Sequence, residues 1–208
     1  VDVPFQKEGR SYLLIDTAGI RRFSKIKDEI IFQSVRTSGE MLRRSDVCLF
    51  LIDGASGMLK EDFQILNSIV AEGRGVILVV NKWDLVKDVS PRKAEPMFRR
   101  RLGNLNIMPI FFTSALTGQN VLRAFEAVDK VKAHHTLRLE TSRLNRFLES
   151  IRKNRTLPGG SPPLRYLVQA GTAPPRFLLF GSRPPSPPFF QYLERRLREE
   201  FDLSGTPV

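Results

Sequence analysis

The chain has 208 residues, 41% hydrophobic and 26% charged, which excludes a wholly disordered, collagen-like or multispan membrane chain. Its 33 Lys+Arg exceed its 22 Asp+Glu by 11, a balance that favours an acidic partner such as nucleic acid, phosphate or an anionic surface. One cysteine, Cys48, excludes an internal disulfide, and the adjacent pair His134–His135 makes a poor zinc set.

At roughly 100–200 residues per domain, the length predicts one large domain or two small ones. Composition favours two. Residues 133–208 carry 12 Lys+Arg against 6 Asp+Glu and hold 10 of the 14 prolines. The division is expected near His134–His135, giving domains over 1–132 and 133–208. No apolar run reaches the ~18–20 residues of a membrane span, and no basic-then-apolar leader opens the chain. The first residue is Val1, so a processed, truncated or fragmentary chain is expected.

In chain order, Val1–Gln6 and Ser11–Asp16 read as strands joined by a turn at Lys7-Glu8-Gly9-Arg10. Asp28–Arg44 reads as a helix. Val47–Asp53, Val76–Val80 and Ile107–Thr113 are short apolar runs, suited to parallel strands buried on both faces. Helical segments Glu61–Glu72, Pro91–Leu102 and Gln119–Lys132 alternate with them. This order predicts an α/β domain, a mostly parallel sheet covered by helices on both faces. Cys48 falls inside a strand and reads as a plain buried thiol.

The second part reads as helix Ser142–Lys153, strands Leu164–Ala170 and Arg176–Phe180, and helix Phe189–Phe201, a small α+β domain. The ending Gly205-Thr206-Pro207-Val208 looks like the entry to one more strand.

Ligands bind open parallel sheets at the carboxyl ends of the strands, and three motifs lie there. Asp16-Thr17-Ala18-Gly19 follows the second strand, Asn81-Lys82-Trp83-Asp84 follows Val76–Val80, and Ser114-Ala115-Leu116 follows Ile107–Thr113. The Asp84 carboxylate is acceptor-only and takes two parallel N–H bonds. Guanine offers such a pair on its N1/N2 edge; adenine does not. Asn81 supplies an amide for the opposite edge, and Lys82 lays its stem on the base face. The Ala115 N–H suits the O6 carbonyl. Asp16 is suited to hold Mg²⁺, and Gly19 lets a backbone N–H approach a terminal phosphate. Singly, each motif reads equally well as a turn, and Ser114-Ala115-Leu116 as a helix N-cap. Jointly, in this order, they point to a guanine-nucleotide site.

Asp16-Thr17-Ala18-Gly19-Ile20-Arg21-Arg22, Asn81-Lys82-Trp83-Asp84-Leu85 and Ser114-Ala115-Leu116-Thr117-Gly118 resemble the Der (EngA) ribosome-assembly GTPases. Thr141–Leu148, Tyr192-Leu193-Glu194 and Gly205–Val208 are similar to the family's KH-like domain. Era, another GTPase with a KH domain, is the second choice; the Trp83 context and the lack of a Gly-x-x-Gly loop favour Der. The resemblance implies a P-loop-type G domain without its phosphate-loop strand, followed by a KH-like domain without its last strand. It implies GTP or GDP as ligand with Mg²⁺ and K⁺, hydrolysis by the intact parent, and a cytoplasmic monomer. It also implies a large ribosomal subunit partner through rRNA, and a further G domain packing on the KH-like domain. Asp16 through Ile20 would face the phosphates, and Asn81–Asp84 with Ser114–Leu116 the guanine.

No Gly-x-x-x-x-Gly-Lys-Ser/Thr occurs in the sequence, the loop that cradles the α- and β-phosphates. A gap is therefore expected between the Tyr12 and Val47 strands, with poor folding and weak or absent GTP binding. Ile20 stands where Ras-like enzymes have a water-orienting Gln; it either packs or marks a cation-assisted arrangement. Arg21–Asp28 reads as a switch or as an ordinary loop. The arginines of 143–155 and 195–198 are candidates for rRNA phosphates or for the further domain, or are solvated faces. The alternative to a switch enzyme is a non-catalytic basic rRNA- or protein-binding module with a remnant nucleotide site.

Overall fold

The computed structural model describes residues 2–15, 42–153 and 163–208. Two antiparallel strands, β1 (Asp2–Lys7) and β2 (Arg10–Ile15), form a hairpin. Its turn places Glu8 and Gly9 at φ of 52° and 76°, the pairing of left-handed residues that matches the twist of a two-residue hairpin. The expected helix Asp28–Arg44 lies mostly outside the described residues; 42–44 are helical.

The central unit is a parallel sheet of β3 (Val47–Asp53), β4 (Gly75–Asn81) and β5 (Ile110–Phe112), in that order. Helices α1 (Lys60–Ala71) and α2 (Pro91–Leu102) connect the strands, and α3 (Val121–His135) follows them. The N-terminal turn of α1 is fixed by Asp62, whose carboxylate accepts the Leu59 N–H at 2.7 Å. Strand β4 explains the layering. Val76, Leu78 and Val80 join the cluster of Leu66 and Ile69 from α1 and Ala94 and Leu102 from α2. Ile77 and Val79 join Ala124 and Val131 of α3. Period-two alternation with both faces apolar puts helices on both sides. Each fully buried Val, Leu or Ile stabilises the sheet by about 1.5–3 kcal/mol.

Two expectations about these strands are corrected. Val47–Asp53 is not buried on both faces: Leu51 is 52% exposed, because β3 is an edge strand among the described residues. The third strand is three residues rather than Ile107–Thr113. Pro109 has no N–H to donate, and the Ile107 carbonyl instead accepts the Gly205 N–H at 2.6 Å.

The gap between β2 and β3 is present: the hairpin and the parallel sheet are separate sheets. Side chains hold the hairpin to the rest. Phe5 and Tyr12 stack at 5.1 Å and both meet Phe125 of α3. Arg10 and Tyr12 share the Asp129 carboxylate at 2.5 and 2.9 Å.

The second unit contains α4 (Thr141–Lys153), the hairpin β6 (Leu164–Gly171) and β7 (Arg176–Gly181), and α5 (Pro187–Phe201). Leu144, Phe147, Leu148 and Ile151 of α4 pack with Leu164, Leu167, Phe189, Leu193, Leu197 and Phe201.

The last residues form no strand. Gly205, Thr206 and Pro207 are buried near the amino end of the parallel sheet, and Leu203 is buried in the core of the second unit. Gly205 accepts the Val76 N–H at 2.7 Å in addition to its bond to Ile107. Helix α3 continues beyond Lys132, so the expected junction at His134–His135 is its last turn. There the Nδ1 of His135 lies 2.7 Å from the Thr206 hydroxyl and that of His134 lies 3.0 Å from the Ser204 carbonyl.

Candidate functional site

The carboxyl ends of β3, β4 and β5 lie side by side, with Asp53 in register with Asn81 and Val80 with Phe112. Strand β4 ends at Asn81, and Lys82 turns the chain with φ of 58° into the short 3-10 turn Trp83–Leu85. The turn is pinned by the Trp83 N–H donating to the Thr113 carbonyl at 2.9 Å. Two loops are thereby tied together before any ligand is considered.

Asn81 makes the second tie. Its Oδ1 accepts the Ala115 N–H at 3.0 Å and the Thr113 hydroxyl at 3.3 Å. Its Nδ2 has no partner among the described residues and remains a free donor. Asp84 is exposed and has neither hydrogen bond nor ion pair among the described residues, leaving a whole carboxylate edge as acceptor. Ser114 is buried. Its hydroxyl accepts the Thr117 N–H at 3.2 Å and its N–H donates to the Gln119 carbonyl at 3.1 Å. Ser114 therefore closes a turn and is not a helix N-cap; Asn120 caps α3. Leu116 is exposed. Trp83 is buried, with its ring 4.5 Å from that of Phe112. Its side chain belongs to the core and locks the loop from beneath.

Asp53 was missed in the sequence. Its carboxylate accepts the Lys82 ammonium at 2.7 Å and the Ala55 and Ser56 N–H groups at 2.9 and 3.3 Å. The Lys82 bond, then the Ala55 N–H, hold its pKa below the usual carboxylate range. Anchored at its head, Lys82 presents its stem as an exposed rail. Gly54 is the close approach beside it: a Cβ there would meet the Asn81 carbonyl at 3.0 Å and the Trp83 ring at 3.1 Å. The sequence offered only an Asp-Gly pair at the end of an apolar run; the register that sets it beside Asn81 is structural.

The donor set fits a guanine base: a free carboxylate for two N–H groups, a free amide, an exposed aliphatic rail and an alanine N–H at the loop tip. Asp16, Thr17, Ala18, Gly19 and Ile20 lie outside the described residues, as do Arg21–Asp28. Among the described residues, no three His, Cys, Asp or Glu side chains gather for a metal ion.

The arginines read as candidates for rRNA phosphates, for the further domain or as solvated faces mostly have partners within the chain. Arg198 bonds to Glu194 and to the Leu203 and Thr206 carbonyls. Arg152 bonds to the Leu164 and Arg165 carbonyls, and Arg195 and Arg196 pair with Glu199. Arg143 lies over the Phe201 ring. Arg155 lies outside the described residues. No helix among the described residues is long and apolar enough to cross a membrane.

Residues 2–134 match the family described as the elongation factor Tu GTP binding domain. Residues 138–208 match that described as KH-domain-like of EngA bacterial GTPase enzymes, C-terminal. Among curated relatives, the GTPase Der of Caldanaerobacter subterraneus subsp. tengcongensis is 38% identical over 215 residues, covering 100% of this chain and 49% of that protein. The GTPase Der of Chloroherpeton thalassium is 37% identical over 217 residues with the same coverage. The chain thus spans about half the length of the curated relatives it matches. Among solved structures, Era in complex with MgGDPNP and nucleotides 1506–1542 of 16S ribosomal RNA is similar. Its TM-score is 0.52 at 26% identity, over 62% of this chain and 43% of that one.

Proposed function

Because the chain belongs to the GTP-binding domain family of elongation factor Tu, in the line of the Der (EngA) GTPases, we propose that it forms part of a GTP-hydrolysing switch in ribosome assembly. The observation that carries this reading is the unpartnered Asp84 carboxylate beside the free Nδ2 of Asn81, at the carboxyl end of β4. Both are left over after every neighbouring loop bond is made.

In this reading Asp84 accepts the guanine N1–H and N2–H, and Asn81 donates from its free Nδ2 to the opposite edge. The Lys82 stem, held at its head by Asp53, covers one face of the ring. The Ala115 N–H, held at the Asn81 Oδ1 in this structure, turns to O6. Adenine leaves the carboxylate without its two donors, a mismatch that costs large factors in affinity. These residues bind and orient the base. Asp16, Thr17, Ala18, Gly19 and Ile20 are assigned to the phosphate side, where Asp16 would hold Mg²⁺, and Mg²⁺ with K⁺ would supply positive charge near the phosphates. The two domains divide at 132/133 in this reading. The large ribosomal subunit, reached through rRNA in the cytoplasm, is the partner, and a further G domain docks on the second domain.

Base reading is tested by Asp84→Asn. Xanthine keeps N1–H but replaces the N2 amine with a carbonyl, and an amide offers one acceptor and one donor to match. Fluorescent GDP and XDP titrations should show the chain preferring GDP and the variant preferring XDP. Equal treatment of both nucleotides by both proteins would remove the guanine assignment.

A further inference from the structure

The β6–β7 hairpin departs from strand regularity at two places, Leu164/Tyr166 and Gln169/Gly171, and the first shapes its outer face. Leu164 and Leu167 are both buried although three residues apart, which a strict period of two forbids. The register shifts between Leu164 and Tyr166, and the extra residue leaves Arg165 and Tyr166 both exposed. Bulges of this kind re-aim side chains. Tyr166 faces Phe180 across the ladder, with ring centroids 4.2 Å apart and planes within 16°. Tyr166 is 44%, Leu178 51% and Phe180 38% exposed. The opposite face, with Phe177 and Leu179, packs on the domain core.

Charge says what suits this platform. From Ser150 to Leu193 the sequence has no Asp or Glu. Arg165, Arg176 and Arg183 are exposed and have no acidic partner among the described residues, unlike the arginines of α5. Arg176 shares the outer face with Leu178 and Phe180, its guanidinium lying across Gly171. Flat aromatic surface flanked by free guanidinium groups suits stacked bases joined by phosphates. A duplex keeps its base faces covered and does not suit it.

We propose that the outer face of the β6–β7 hairpin binds unpaired RNA, a base stacking on Tyr166 and Phe180 and phosphates meeting Arg165, Arg176 and Arg183. The choice of RNA over DNA rests on the ribosome-assembly reading; the face itself does not depend on the nucleotide site.

The test is fluorescence anisotropy of the 208-residue chain with a labelled ten-nucleotide single-stranded RNA, a duplex of the same length as comparison, and no nucleotide added. Tyr166→Leu and Phe180→Leu keep apolar area and remove the ring. Each should weaken single-strand binding by roughly five- to a hundred-fold with the salt slope unchanged. Arg165→Gln and Arg176→Gln should each lower that slope by about one counterion. Asp84→Asn should leave RNA binding unmoved, which separates failure of this face from failure of the guanine site. Unchanged affinity in both ring variants, equal duplex binding, or no RNA binding at all would overturn the proposal; the last would leave the face to a protein partner. If a ring variant melts early, a 4-thiouridine oligonucleotide photo-crosslinked to the unaltered chain decides. Crosslinks at Tyr166 or Phe180 are expected, and crosslinks confined to Arg143 and Arg146 overturn the assignment.

Discussion

The two ends of the parallel sheet are built from the same three elements and differ in what is left over. At the carboxyl end, Asn81 closes β4, Asp84 and Ala115 sit in exposed loops, and Asp84 has no partner among the described residues. At the amino end, Val76 and Ile107 are bonded to Gly205, and His135 is sealed against Thr206. Strands β4 and β5 and helix α3 therefore leave polar groups open at one end and grip the second domain at the other. A satisfied polar group contributes stability, whereas an unsatisfied exposed one contributes binding capacity. The amino end serves domain attachment, and the carboxyl end holds the groups to which base recognition is assigned in the proposed function.

The largest break is expected at Gly205. It has φ of 79°, and a Cβ there would meet Val131 Cγ2 at 2.5 Å and the Val76 carbonyl at 3.1 Å. Gly205→Val combines left-handed strain with overpacking and should cost about 2–4 kcal/mol. Urea unfolding monitored at Trp83 and by far-ultraviolet circular dichroism reads this loss.

A smaller effect is expected from His135. Its burial comes first, then the positive charges of Lys132 and Arg74, which outweigh Asp46 and push its pKa below 6.5. The folded state refuses a proton that the unfolded state takes. The His135 contribution is thus complete above pH 6.5 and is lost as pH falls through the lowered value. The slope is at most about 1.4 kcal/mol per pH unit. His135→Gln should flatten this acid limb, and a series of melts from pH 7.5 to 5 measures it.

The smallest effect belongs to the open end. Asp84→Asn removes no contact among the described residues, so stability should stay within about 0.5 kcal/mol of the parent. A larger loss would mean that the carboxylate is structural and the contrast between the ends false.

Much of this was legible in the sequence. Val47–Asp53 and Pro91–Leu102 have the expected bounds because charged, Pro or Gly residues stop the apolar pattern where the element stops. Asn81 and Asp84 stand out in the sequence because few residue types match the hydrogen-bond pattern of guanine, and the structure leaves the Nδ2 of one and the carboxylate of the other without a partner among the described residues. Three features were not legible. Asp53 reads as an ordinary strand terminus until the register sets it beside Asn81. The exposure of Leu51 depends on which strand lies beside β3, a fact of topology and not of local pattern. The burial of Gly205 and Thr206 rests on contacts roughly 70 or more residues away in sequence, to His135 and further to Val76, which no periodicity reports.

The most direct measurement is a nitrogen-15 amide NMR titration of the chain with millimolar GDP, a concentration that detects weak binding. The account predicts shifts at Asn81–Asp84 and Ser114–Leu116, with Asp53 and Gly54 following and Val76 and Gly205 still. Shifts at the Gly205 end with none at Asp84, or equal shifts with ADP, would contradict it.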